Sequence, residues 1–207
     1  MTDESRTETI KQVHELIRNN DLTEAMRVSG EALAEYDSAW HNSVRSGQPK
    51  LSLIADIAAM GTAHVLALSM AGSAQDAFAT SLMLLIEVDA SKVDYNTILS
   101  EARALYSMAT QSAYELAMQL QESPGFDAIM TTLSRFASVT YYFYQKEGEA
   151  GLESASRKMT YELLSMMKEA GAIQSPTIDV NGTAVEPSST KEILSDTIAL
   201  AHSIGLI

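Results

Sequence analysis

Hydrophobic side chains recur every three to four positions along most of the chain, the period of an α-helix that buries one face. Leu22, Ala25, Met26, Ala32, Leu33, Tyr36 and Trp40 follow it. So do Leu152, Ala155, Met159, Leu163, Met166 and Ala170, which leave Glu153, Arg157, Lys158 and Lys168 off the stripe. Capping-box spacing, in which a small polar residue is followed three positions on by an acidic one, marks helix starts at Ser5, Asp21, Ser73, Ser91 and Ser189. Ser123-Pro124 adds another start, with proline where the first helical position needs no amide. Stops fall at Asn19-Asn20, Ser46-Gly47-Gln48-Pro49, Gly72, Glu147-Gly148 and Gly171. Together these predict helices over 6–19, 22–45, 51–71, 74–88, 93–122, 124–146, 150–170 and 189–204.

The pattern weakens in the middle. Between Leu51 and Val88 the only charged residues are Asp56, Asp76 and Glu87, and His64 is the one histidine. Part of this stretch is long enough to cross a bilayer, but Gly61, Thr62, His64, Ser69, Gly72 and Ser73 dilute it and no basic cluster flanks it. It is therefore expected to be a buried helical hairpin at the centre of the fold. The 93–122 and 124–146 segments are rich in Ala, Ser and Thr, which predicts contact with neighbouring helices on more than one side.

One segment breaks the helical period. Asn181-Gly182 between Ile178, Val180, Thr183 and Val185 is a type I′ turn signal, which predicts either a small β-hairpin at 177–186 or an irregular loop with one turn. The expected fold class is all-α, with antiparallel helical hairpins over 6–88 and long helices over 93–170. A hairpin or loop over 172–188 and a C-terminal helix at 189–204 complete one domain, 1–207. The hairpins would stack either as a repeat array or as a closed bundle.

Charge narrows the function. The 207 residues carry 14 Lys and Arg against 27 Asp and Glu, a formal net charge of −13. Phosphate binders depend on basic charge, so neither nucleic acid nor an anionic membrane is an expected partner. There is no cysteine, which excludes disulfides, thiolate catalysis and Cys-based zinc sites. The polar, acidic start Met1-Thr2-Asp3-Glu4-Ser5 leads to an expectation of a cytoplasmic protein.

The segment Asn20-Asp21-Leu22-Thr23-Glu24-Ala25, followed by Ala32-Leu33, resembles the inter-helix turn and second helix of a tetratricopeptide repeat. A second copy is similar at Gly72-Ser73-Ala74-Gln75-Asp76-Ala77, with Leu84 where the second alanine would fall. The resemblance spans about residues 6–88. It implies a protein-interaction module whose groove is lined by the first helix of each pair. Thr7, Ile10, His14 and Ile17 would line it on the first unit, and Ala59, Thr62, Leu66 and Ser69 on the second. The Lys and Asn that some members use to clamp a terminal carboxylate are missing from these faces, which leaves an apolar groove for a helix or extended peptide.

No catalytic signature occurs. His14-Glu15 does not continue into H-E-x-x-H, no Glu-x-x-His is present, and phosphate-binding glycine motifs and G-x-S-x-G are absent. Asp37 and His41 fall at i, i+4, a spacing that suits a metal or an ion pair; with no third ligand in sequence view, the ion pair is the expectation. No metal or cofactor is expected. The run Tyr141-Tyr142-Phe143-Tyr144 covers too wide an arc of a helix for every ring to share one face. Tyr141, Tyr142 and Tyr144 are thus candidates for a groove or dimer interface. The leading reading is a non-enzymatic scaffold that binds a protein segment and associates with itself as a homodimer. The alternative is a ligand-binding or enzymatic bundle with a pocket near His64 and the tyrosine run.

Overall fold

The computed structural model describes residues 3–121 together with Phe126, Asp127, Ile129, Met130, Thr132, Leu133 and Phe136. Among these residues the protein is all-helical and contains no strand. Its helices are α1 (Asp3–Arg18), α2 (Leu22–Arg45), α3 (Ser52–Met70), α4 (Ala74–Ala90) and α5 (Leu99–Gln119). The chain divides into two compact units, Met1–Leu105 and Tyr106–Ile207. The helices expected beyond 124, the 177–186 hairpin and the tyrosine run lie outside the described residues.

Three of the stops form the same device. After α1 the Asp21 amide donates to the Leu16 carbonyl and the Asn20 amide to Ile17, with Asn20 at φ 59°. After α2 the Gln48 amide donates to Ser43 and Gly47 to Val44, with Gly47 at φ 73°. After α3 the Ser73 amide donates to Leu68 and Gly72 to Ser69, with Gly72 at φ 82°. Each is a Schellman turn, which satisfies carbonyls the helix end leaves over and needs a residue that tolerates positive φ. Asparagine and glycine are the residues that do so at least cost.

The starts follow the sequence less closely. Asp21 caps α2 by accepting from the Glu24 amide at 3.4 Å, but the Glu24 carboxylate does not reach back to complete the box. It turns instead to Arg27, whose guanidinium also holds Glu31. Ser5 lies inside α1, which begins at Asp3, and Ser73 precedes α4 without a side-chain cap bond. Ser91 does not open a helix at all. Its hydroxyl donates to the Val88 carbonyl at 2.6 Å, and it closes α4, with Lys92 at φ 55° beyond it. Asp94 then organises a separate turn by accepting from the Asn96 amide at 3.0 Å, so α5 starts at Leu99 rather than at 93. An aspartate that caps its own turn offers nothing to an upstream serine.

In the first unit, α3 packs against α1, α2 and α4. Ile54, Ala58, Met60 and Val65 of α3 are fully buried, as are Val13 of α1, Ala25 and Tyr36 of α2, and Ala77, Leu82 and Leu85 of α4. Burying a side chain such as Ile or Leu contributes about 1.5–3 kcal/mol, which explains why a helix with three helical neighbours reads as apolar on several sides. By length and composition alone, α3 is apolar enough to cross a bilayer. Here its apolar side chains serve as the centre of the unit, whereas α4, the other half of the hairpin expected at the centre over 51–88, packs mainly on α3 and leaves Met83 exposed. α3 and α4 approach so closely that a Cβ on Gly61 would lie 2.5 Å from Leu84 Cδ1.

In the second unit, Tyr106 and Phe136 meet edge to face with ring centroids 6.1 Å apart. Residues 106–110 of α5 are buried without a break, together with Ser112, Ala113, Leu116 and Ala117. Burial right round the helix is what the Ala, Ser and Thr content of this segment predicts. The Thr110 hydroxyl donates to the Tyr106 carbonyl at 2.8 Å, so this polar side chain is buried with its proton satisfied.

Candidate functional site

The face expected to line a groove can be traced residue by residue. On α3, Ala59, Thr62, Leu66 and Ser69 are each half-buried and form one stripe along the helix. The Thr62 hydroxyl donates to the Ala58 carbonyl at 2.8 Å, a local bond that leaves it little need of an outside partner. On α1, Thr7 and His14 are exposed and Ile10 is half-buried. Ile17 is only 7% exposed and belongs to the packed core rather than to an open surface. Thus Ile10, His14, Thr62 and Leu66 offer surface, whereas Ile17 supports the helix from beneath. Tyr141, Tyr142 and Tyr144 lie outside the described residues.

His64 bridges α3 to α2. Its Nδ1 lies 2.7 Å from the Ser29 hydroxyl, and Ser29 also lies 2.6 Å from the Ala25 carbonyl. A carbonyl can only accept, so the single serine proton goes to Ala25 and Ser29 accepts from Nδ1–H. This makes His64 the Nδ1-protonated tautomer, with Nε2 as an acceptor. Burial holds its pKa below the ordinary 6.5 by penalising the charged ring. A Ser–His pair at this distance resembles a nucleophile with its base, but the geometry does not support that chemistry. Ser29 is fully buried and its proton is committed to the backbone rather than to the imidazole. The pair fastens two helices.

A second polar tie joins α1 to α3, where the buried Arg6 guanidinium donates to the Asp56 carboxylate. Beside it opens a cleft of about 420 Å³, bordered by Arg6, Glu35, Ser43, Lys50 and Leu53 among others. Its wall is mixed in charge, unlike the apolar groove expected on α1 and α3. Ser43 shapes one edge by accepting from the Lys50 amide at 3.2 Å while donating to the Trp40 carbonyl at 2.7 Å.

A third group that could serve as a donor beside Asp37 and His41 comes from α4. His41 Nε2 lies 3.3 Å from Asp37 Oδ1 and 3.9 Å from Glu87 Oε1, and the three donor atoms all lie within 4.8 Å of one another. Sequence spacing places only the first two together. Glu87 reaches the site through the tertiary fold, and its place in an otherwise charge-poor segment is a signal it shares with Asp56 and Asp76.

Comparison with known proteins returns no match to a family model, to a curated protein or to a solved structure.

Proposed function

We propose that this chain is a tetratricopeptide-repeat-like scaffold, not an enzyme, and that it binds a segment of a partner protein along the α1–α3 face. The observation that carries the reading is the order of packing. α1 packs on α2 and α3, α2 on α3, and α3 on α4, so each first helix serves its own hairpin and the neighbouring one. That is how stacked hairpins bury a continuous core that no single hairpin could provide. The two hairpin turns also share their backbone. Asp21 stands at φ −86°, ψ 66° and Ser73 at φ −89°, ψ 62°, each one residue after the positive-φ position and four before a buried alanine. The unit is longer than the family's period of about 34 residues, and α2 with the loop after it holds much of the extra length.

The half-buried stripe Ala59, Thr62, Leu66 and Ser69 on α3, together with the half-buried Ile10 and exposed His14 on α1, suits an amphipathic helix or extended peptide. A peptide of basic character would gain from the net charge of −13. The ion-paired Arg6 and the Ser-bonded His64 hold the hairpins together and take no part in chemistry. Selection of a displayed random-peptide library on the full chain tests this reading. The expected winners bind the native chain and lose about tenfold or more in affinity to Leu66→Asp and Ile10→Asp, since burying an unpaired charge in an apolar contact is costly. A library that yields no binder, or binders indifferent to both substitutions, overturns it.

A further inference from the structure

We propose that Asp37, His41 and Glu87 form a binding site for a first-row divalent metal ion of the Zn²⁺ class, one that links α2 to α4. The same imidazole nitrogen faces both carboxylates, at 3.3 and 3.9 Å. One N–H cannot be directed at two acceptors equally well, and 3.9 Å is beyond a hydrogen bond. A metal ion asks for this convergence. Donors held about 2.0–2.2 Å from a common centre stand roughly 3–3.6 Å apart. The Asp37–His41 pair already meets that spacing, and rotation of the flexible carboxylate side chains, by up to about 1 Å, closes the rest of a set that lies within 4.8 Å.

Charge argues the same way. Among the described residues neither Asp37 nor Glu87 pairs with Lys or Arg, so two carboxylates converge on a single imidazole without a permanent cation between them. A divalent ion would neutralise both. The mixed N and O donor set favours zinc, cobalt or nickel over calcium and magnesium, which prefer oxygen throughout. Three protein ligands leave a fourth position for water, and side chains about half exposed for Asp37 and His41 and 28% exposed for Glu87 allow it. Because Asp37 and His41 belong to the first hairpin and Glu87 to the second, the ion would clamp one to the other.

Calorimetric titration of the chelator-stripped full chain with ZnCl₂ tests the site, with Co²⁺ absorption as an independent readout of a nitrogen-containing, low-coordinate environment. One equivalent of Zn²⁺ is expected to bind and to raise Tm. Affinity should fall by about 10–100-fold or more in His41→Gln and in Glu87→Gln, since losing even an outer-shell partner of a metal ligand costs that much. The controls His14→Gln and His202→Gln should bind as the native chain does, and far-UV circular dichroism checks that every variant keeps its helices. Absence of saturable Zn²⁺ binding overturns the proposal. So does binding that survives both His41→Gln and Glu87→Gln, or that disappears in a control instead.

Discussion

The α1–α2 and α3–α4 hairpins turn through nearly the same backbone path and are stabilised by different means. In the first, Asn20 takes the positive-φ position and Asp21 caps the next helix with its side chain. In the second, Gly72 takes that position and Ser73 makes no side-chain cap bond. Apart from the buried Arg6, the first hairpin carries its charges outside, with Arg27 clasped between Glu24 and Glu31. The second is nearly free of charge and relies on close approach, with Gly61 under Leu84. Local hydrogen bonding specifies the first turn, and burial of the α4 side chains specifies the second.

Three substitutions test that contrast first, beginning with the tie between the hairpins. Asp56→Ala removes the carboxylate that holds Arg6 across α1 and α3 and should cost about 2–3 kcal/mol by urea denaturation. That is less than the loss from a fully enclosed pair, because Asp56 keeps 22% of its side-chain surface. Gly61→Val should come next at about 2 kcal/mol, since its branched side chain forces Leu84 aside where the helices meet. In the first hairpin, a Cβ at Gly30 would meet only His64 Cε1 at an ordinary 3.6 Å. Gly30→Ala is therefore expected to be neutral or to stabilise by up to about 1 kcal/mol through helix propensity. Equal losses at the two glycines would break the comparison.

His64 gives a smaller effect that depends on pH. Its folded pKa lies below the ordinary 6.5, so between those two values the unfolded chain binds more protons than the folded one. The stability associated with a neutral His64 is complete above pH 6.5 and declines as pH falls through the lowered folded value. His64→Asn keeps a donor near the Nδ1 position and removes the titration. Denaturation midpoints of the variant from pH 7.5 down to 5 should therefore fall less steeply than those of the native chain. Parallel curves would assign no role to the ring.

The turns themselves set the smallest difference. Asp21→Ala should cost about 0.5–1 kcal/mol through the lost cap, whereas Ser73→Ala should cost no more than a few tenths, as it makes no cap bond. Thermal melts of the two variants side by side make the measurement, and a larger loss at Ser73 would reverse the assignment.

Much of this could be read along the chain. The stops at Asn20, Gly47 and Gly72 were legible because positive φ restricts residue type and a Schellman turn is closed by groups five residues apart or fewer. Lys92 was not legible, because a lysine in that conformation has no compositional mark. The start expected at Ser91 failed because the same serine chemistry can end a helix as well as begin one. The residues expected to share a face on α3 are half-buried along one stripe, but composition could not separate Leu66, half-buried, from Ile17 on α1, packed beneath the surface.

Helix ends and apolar periodicity are local properties, settled by dihedral preferences and hydrogen bonds within a turn or two, and the order of residues was enough to specify them. Which neighbour each face meets is a matter of long-range packing. Only the folded chain brings Glu87 to Asp37 and His41, seats Leu84 over Gly61 and sets Ser29 against His64. Those contacts join residues dozens of positions apart, where burial and shape decide and sequence spacing carries no information.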